Sequence, residues 1–276
     1  MVAVLPERRL SVTEVDVRHA LDAVLDPELD EPITRLGFVH SIVVEGADSP
    51  AVPTTVTVHL RLPTSFCAPN FAYLMCADSK DALSDVPGVD QVVVELDDHH
   101  DSGLINAGLA ADAGYLGTFG HEAERDLDEL RTTFRRKAHT AAMERCLTAL
   151  LRGNPDVPEE AIGKVRLADL PTGRHTQALL RRRAVLGLPT TPDAPVLVDH
   201  EGRGYEPVDV PMALRRARAT RISIDGNAHF CRGLLRTRYE GSGADQAPRL
   251  DGAEPADHHH LLPLSVLPFP AKEHQS

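Results

Sequence analysis

Apolar spacing along the first hundred residues switches repeatedly between the helical and the strand period. Val17, Ala20, Leu21, Val24 and Leu25 recur at the helical period. Ser11 and Glu14 ahead of them have capping-box spacing, which predicts the helix start there. Asp26-Pro27 predicts its end, because a residue before proline is pushed out of the α region. The runs FVHSIVVEG (38–46) and TTVTVHLRL (54–62) are β-branched and roughly alternating, so they predict two strands across the turn-rich segment 47–53. Pro69, Leu74 and Leu83 mark a second helix ending before Pro87-Gly88, and VDQVVVEL (89–96) predicts a third strand. The order helix, strand, strand, helix, strand implies an α+β unit with helices on one face of a small sheet.

Beyond it the pattern becomes mainly helical. Residues 97–120 are glycine-rich and weakly periodic, and read as an ordered linker or surface loop. A strong helix follows over about 122–152, with Leu127, Leu130, Phe134, Ala138 and Ala141 on one face and Gly153 as its stop. Residues 174–187 predict another helix, and 194–210 a hairpin around Glu201-Gly202. MALRRARA (212–219) then predicts a short helix, TRISI (220–224) a strand, and Asn227 the N-cap of a helix through AHFCRGLLRTRY. The expected organisation is an α+β domain over 1–98, a linker over 99–120, a mainly helical accessory domain over 121–240 and a disordered tail over 241–276.

With 276 residues, 42% of them hydrophobic, the chain can build real cores. The net charge of −12 is unevenly spread: residues 1–121 carry 19 acidic against 6 basic side chains, whereas 122–240 carry 17 against 21. Two halves of opposite sign either pair with each other or face different partners. Few aromatics, no tryptophan and an acidic balance argue against nucleic acid. No apolar run approaches a membrane span, and the first residues lack a signal-peptide pattern, so a cytoplasmic protein is expected. The four cysteines at 67, 76, 146 and 231 form no close pair, which argues against a disulfide framework or a self-contained zinc site.

Cys67 is the first candidate for chemistry. Pro69 suits the first position of a helix, which puts Cys67 just ahead of it, where unpaired amides and the helix dipole favour a thiolate. The plainer reading is a packed or tolerated cysteine. Asp26 and Glu28 flank a proline and can either ligate iron or form a solvated turn. Cys231 falls in the first turn of a helix if Asn227 is the cap. If the segment is a strand, His229 and Cys231 share a face and can chelate together; in a helix they point apart, and a core stripe through Phe230, Cys231, Leu234 and Leu235 is the rival reading. Asp97, Asp98, His99 and His100 form an acid–imidazole cluster that suits a metal or is a plain loop. Cys76 and Cys146 lie in helical patterns and read as packing residues. Arg181–Arg183 with Arg215, Arg216 and Arg218 form basic faces, for an acidic partner or for solvent.

Together the pieces Asp26-Pro27-Glu28, Leu36-Gly37-Phe38-Val39, the turn from Thr64 to Pro69 with its single cysteine, and Gly88-Val89 give residues 12–98 a resemblance to the iron–sulfur cluster assembly domain family, which includes SufT- and PaaD-type proteins. The resemblance implies a non-catalytic role in maturing metalloproteins, with Cys67 as the reactive or metal-binding thiol and Asp26 and Glu28 in the family's acidic loop. Iron or an iron–sulfur cluster would be held transiently. Two departures stand out: members are usually no longer than this domain, and Asn70-Phe71 replaces a small or apolar pair. The long form, with INAGLAADAGY and ISIDGNAHFCRGLLRTRY, is similar to accessory proteins of bacterial di-iron monooxygenases. The implied partner is a client metalloenzyme of that kind, with homodimerisation left open. The site expected is Cys67, Cys231, His229, Asp26 and Glu28. Two rival functions remain: a metal-free interaction chaperone, and a thiol enzyme with Cys67 as nucleophile and His99 or His229 as base. No glycine-rich phosphate loop follows a strand, so no nucleotide is expected.

Overall fold

The computed structural model describes residues 11–47, 51–120, 127–154 and 156–249. Helix α1 (Glu14–Leu21) is opened by Thr13, whose hydroxyl accepts from the Asp16 amide at 3.3 Å while the Asp16 carboxylate accepts from the Thr13 amide at 2.9 Å. The capping box is therefore Thr13/Asp16, two residues later than Ser11/Glu14, because a threonine and an aspartate at the same spacing satisfy the same two donors. The helix also stops at Leu21, short of Asp26. The chain then forms two minimal strands, β1 (Leu25–Asp26) and β2 (Glu31–Pro32), paired antiparallel around an acidic turn.

A short helix α2 (Ile33–Leu36) ends on Gly37, at φ +79°, where an added Cβ would lie 3.2 Å from Leu235 and 3.1 Å from Gln246. Glycine there supplies both the left-handed backbone and the space for a distant part of the chain. Strands β3 (Val39–Glu45), β4 (Thr55–Arg61) and β5 (Gln91–Asp97) form the sheet in that order, antiparallel and then parallel, with helix α3 (Pro69–Ser84) making the crossover. Alternation holds along β4: Val56, Val58 and Leu60 are buried with α1 and α3 on the core face, while Thr55, Thr57 and His59 face the other way. The α+β reading of the first unit is borne out.

The stretch read as a linker is structured. Residues Ser102–Ala110 form α4 and Gly114–Phe119 form α5, and Ile105, Leu109 and Phe119 join the first core. Helices α6 (Leu127–Gly153) and α7 (Arg174–Val185) build a second core with 3₁₀ turns and the segment around Val196–Val198, through Cys146, Leu147, Ile162 and Leu179. The hairpin expected over 194–210 is reduced to a single bridge, Val198 to Gly204, around Gly202 at φ +82°.

The largest correction concerns residues 210–238. The short helix, strand and capped helix expected there are one continuous helix, α8 (Val210–Arg238), of 29 residues. Its N-terminal half gives Val210, Leu214 and Ala217 to the second core, and its C-terminal half gives Ala228 and Leu235 to the first. One helix thus fastens both units. After it, Ser242–Asp245 form a 3₁₀ turn, and Ala247 donates its amide to the Arg35 carbonyl at 2.9 Å. The start of the expected tail is thus packed on the first unit, while 250–276, with His258–His260, lie outside the described residues.

Candidate functional site

Strand β4 runs directly into the turn that presents Cys67. Pro69 is the first residue of α3 and Ala68 its N-cap, so Cys67 stands immediately ahead of the helix, half-buried, with its sulfur 3.5 Å from the Thr64 hydroxyl. Three groups fix this turn from outside. His99, fully buried, donates from Nε2 to the Cys67 carbonyl at 2.9 Å, and its Nδ1 accepts the Asp101 amide at 3.1 Å. The His100 amide donates to the Ser65 carbonyl. From α8, Arg238 donates to the Leu62 carbonyl, the Ser65 hydroxyl and the Asp98 carbonyl.

Beside it lies the acidic turn between β1 and β2. Asp26 is buried, and its Oδ1 accepts the amides of Glu28 and Leu29 at 2.9 and 2.8 Å. This is a closed local turn rather than the solvated one weighed from sequence. Burial pushes the Asp26 carboxyl up to about 7, against the two amide hydrogen bonds and with help from the charges of Glu28 and Glu31. The other acids of the turn are met by the second unit. Asp30, at φ +54°, pairs with Arg182 of α7; buried Glu31 is held by both guanidinium nitrogens of Arg232 on α8, at 2.9 and 2.6 Å, and by Arg249 at 3.0 Å. Glu28 accepts from the Asn227 side-chain amide at 3.1 Å. The opposite charges of the two halves are spent here on each other.

Cys231 reaches the same place from the middle of α8. Asn227 is an interior helix residue and no N-cap, so Cys231 has none of the amide environment expected for it. Burial pushes its thiol up to about 12, reinforced by the nearby charges of Asp26, Cys67 and Glu28 and opposed by Arg232. Those causes also name its neighbours: Cys67, Asp26 and Glu28 all lie within electrostatic reach of the Cys231 sulfur. His229 is exposed and, two residues away in a helix, about 200° around the axis from Cys231, so the two do not form one chelate. The predicted set is brought together only in part. Among the described residues, no three His, Cys, Asp or Glu side chains gather as a metal cage.

The cluster at 97–100 disperses. Asp97 turns to the open face of the sheet, Asp98 meets Tyr239 and Arg238, His99 anchors the Cys67 turn, and His100 packs its ring 5.8 Å from that of Phe66. Both nitrogens of His99 are engaged with backbone, the Cys67 carbonyl and the Asp101 amide, and its ring serves here to hold the turn. Cys76 and Cys146 are buried packing residues, their thiols pushed up to about 12 and about 11 by burial. The sequence reading gave Arg232 and Arg238 no role and took Asn227 for an N-cap, whereas the three hold the acidic turn and the cysteine turn. The signal for them was a helical apolar row, Ala217, Ile224, Ala228 and Leu235, whose flanks they occupy.

No curated protein and no solved structure matches this chain. Residues 14–96, from α1 to β5, match the family described as iron-sulfur cluster assembly protein. The matched segment carries the acidic turn and Cys67 and is similar to that family, and the rest of the chain adds α8 as a cover over that turn.

Proposed function

We propose that this protein is a maturation factor that holds iron, or a small iron–sulfur cluster, as transient cargo for a client metalloenzyme in the cytoplasm. The observation that carries the reading is that α8 bonds the acidic turn, Asn227 to Glu28 at 3.1 Å, which leaves its Cys231 within electrostatic reach of three residues of the matched segment, Cys67, Asp26 and Glu28. Asp26, Cys67 and Glu28 each raise the cost of ionising Cys231, with Arg232 acting against them. A ferrous ion placed among them reverses that balance, since a bound metal draws the proton off a coordinating thiol. Two thiols and two carboxylates already engaged in hydrogen bonds fall short of the ligation that a resident cluster uses. Weak, incomplete ligation suits a carrier, from which a client must be able to remove the cargo. The role is non-catalytic, with Cys67 the ligand from the turn ahead of α3 and Cys231 the second, from α8.

The client we infer is the hydroxylase of a bacterial di-iron monooxygenase. Its support is the resemblance of the long form, in 105–115 and 222–239, to accessory proteins of such enzymes. The test is iron bound by anaerobically purified protein, together with the activity of the hydroxylase co-expressed with it. Cys67→Ser is expected to abolish iron retention and to lower client activity at least tenfold, with Cys231→Ser weaker in both. If both variants mature the client as well as the parent does, the metal-carrying reading fails and a docking chaperone takes its place.

A further inference from the structure

The open face of the sheet carries a second group of chemistry-bearing side chains, separate from the thiols. His59 on β4 and Asp97 on β5 both point to this face, and the His59 Nδ1 lies 2.9 Å from the Asp97 Oδ1. His40 joins them through an irregularity in β3. Val39 pairs with Leu60 and Ser41 with His59, so His40 is an inserted residue with no partner on β4. A bulge of this kind re-aims the side chain it carries. It lets His40 reach across β4, with its Nδ1 3.0 Å from the Asp97 Oδ2. One carboxylate, two strands away from His40, therefore holds both rings.

The chemistry of the bonds fixes the tautomers. An ionised carboxylate only accepts, so each Nδ1 must carry the donated proton. In each neutral ring the remaining nitrogen, Nε2, then has a bare lone pair on the side away from Asp97. The His40 and His59 side chains are 50% and 37% exposed, so those lone pairs are within reach of solutes. A histidine that donates one ring nitrogen to a carboxylate and offers the other is the form in which imidazole binds metals, because the carboxylate orients the ring and raises its basicity.

We propose that His40 and His59 form a two-imidazole site for a divalent first-row transition-metal ion, bound through their Nε2 atoms, with Asp97 as the positioning residue for both rings. Imidazole favours zinc, copper, nickel and ferrous ions over magnesium or calcium. With two protein ligands, the remaining positions go to water, which makes the site exchangeable. It lies at the end of the sheet where β4 passes on to the Cys67 turn and β5 to His99. The proposal does not rest on the thiols handling iron.

The experiment is Zn2+ titration of the full-length chain, read by competition with a chromophoric chelator and by nuclear magnetic resonance of the histidine rings. Cys67 and Cys231 are replaced by serine, and His258–His260 by alanine, in every sample, so neither thiols nor the histidine triplet contribute. The expected result is one Zn2+ per chain, with the ring signals of His40 and His59 shifting together. His40→Ala and His59→Ala should each weaken binding at least tenfold. Asp97→Asn keeps both imidazoles but leaves one acceptor oxygen, uncharged, for two rings, and should weaken binding roughly 10- to 100-fold with an unchanged circular dichroism spectrum. The proposal is overturned if the parent binds no Zn2+, or if the His40→Ala/His59→Ala double variant binds it as tightly as the parent.

Discussion

Cys67 lies on the unit that carries the acidic turn and Cys231 on the helix that covers it, and the backbone treats them in opposite ways. Cys67 sits in a turn just ahead of a helix, half-buried, with its carbonyl and neighbours held by His99, His100 and Arg238. Cys231 sits in the interior of a helix, its thiol pushed up to about 12 by burial and by the acids around it. The first is shaped by local turn chemistry, the second by which face of a long helix happens to be covered. A thiol placed by a turn keeps its position when its surroundings loosen, whereas one placed by helix docking depends on every contact that holds the helix down. The contrast can be broken from Asp26, from α8, and from the cysteine turn.

The largest effect is expected at Asp26. Its carboxyl is raised to about 7 from an ordinary 3.8, chiefly by burial. Between these values the folded protein keeps a proton that the unfolded chain has released, so stability is full below the ordinary value and is lost as pH rises through about 7. At about 1.4 kcal/mol per pH unit, the loss is roughly 4 kcal/mol at most. Asp26→Asn preserves the acceptor for the Glu28 and Leu29 amides and cannot ionise. Urea unfolding from pH 4.5 to 8 should show the parent losing stability relative to the variant as pH rises. Parallel pH profiles would mean that Asp26 is ionised throughout.

Next is the anchor of α8. Leu235 is fully buried in the first core, although it belongs to the helix that builds the second. Leu235→Ala should cost about 2–5 kcal/mol as a core truncation. More to the point, it should free Cys231 more than Cys67. With a maleimide reagent followed by mass spectrometry, Cys231 labelling should rise severalfold while Cys67 labelling changes little. An equal rise at both thiols would show that the cysteine turn also depends on α8, and the contrast drawn between them would be lost.

The same two regions show what the sequence could and could not reveal. The sheet was legible because β-branched alternation and a proline-led helix carry their own signals, as the burial of Val56, Val58 and Leu60 confirms. The position of Cys67 followed from Pro69 alone. Helix α8 was broken into three pieces because Ile222 and Ile224 look like a strand and Gly226-Asn227 looks like a boundary. The apolar row Ala217, Ile224, Ala228 and Leu235 was the better guide, with spacings of seven, four and seven that fit one helix face. Helices α4 and α5 were hidden for a different reason. Their contact is made by small residues: a Cβ on Gly108 would lie 2.1 Å from the Thr118 hydroxyl oxygen, a close approach with no hydrophobic signature. The pairing of His40 with Asp97 needs both the strand register and a bulge, and neither is written in the spacing of the two residues. Asp26 stood out in the sequence, but its burial did not, since the turn around it is bonded by α8 at Glu28 and Glu31, some two hundred residues away.

The smallest effect on stability, and the most selective on chemistry, is expected from His99. Its ring is buried with both nitrogens bonded to backbone, one to the Cys67 carbonyl and one to the Asp101 amide. Replacing it by glutamine retains a group of similar reach that can satisfy one of these partners, while alanine leaves both unmet. A lost hydrogen bond with an unpaired buried group costs about 1–3 kcal/mol, so His99→Ala should unfold earlier than His99→Gln. The decisive reading is the thiols. Both ring bonds of His99 go to the Cys67 turn and its own loop rather than to α8, so the alanine variant should alter the labelling rate of Cys67 severalfold and leave that of Cys231 where it was. That pattern is the mirror image of the one expected for Leu235→Ala. If His99→Ala instead moves both thiols together, or neither, then His99 is not what holds the cysteine turn in place. The accessibility of Cys67 would then have to come from α3 itself.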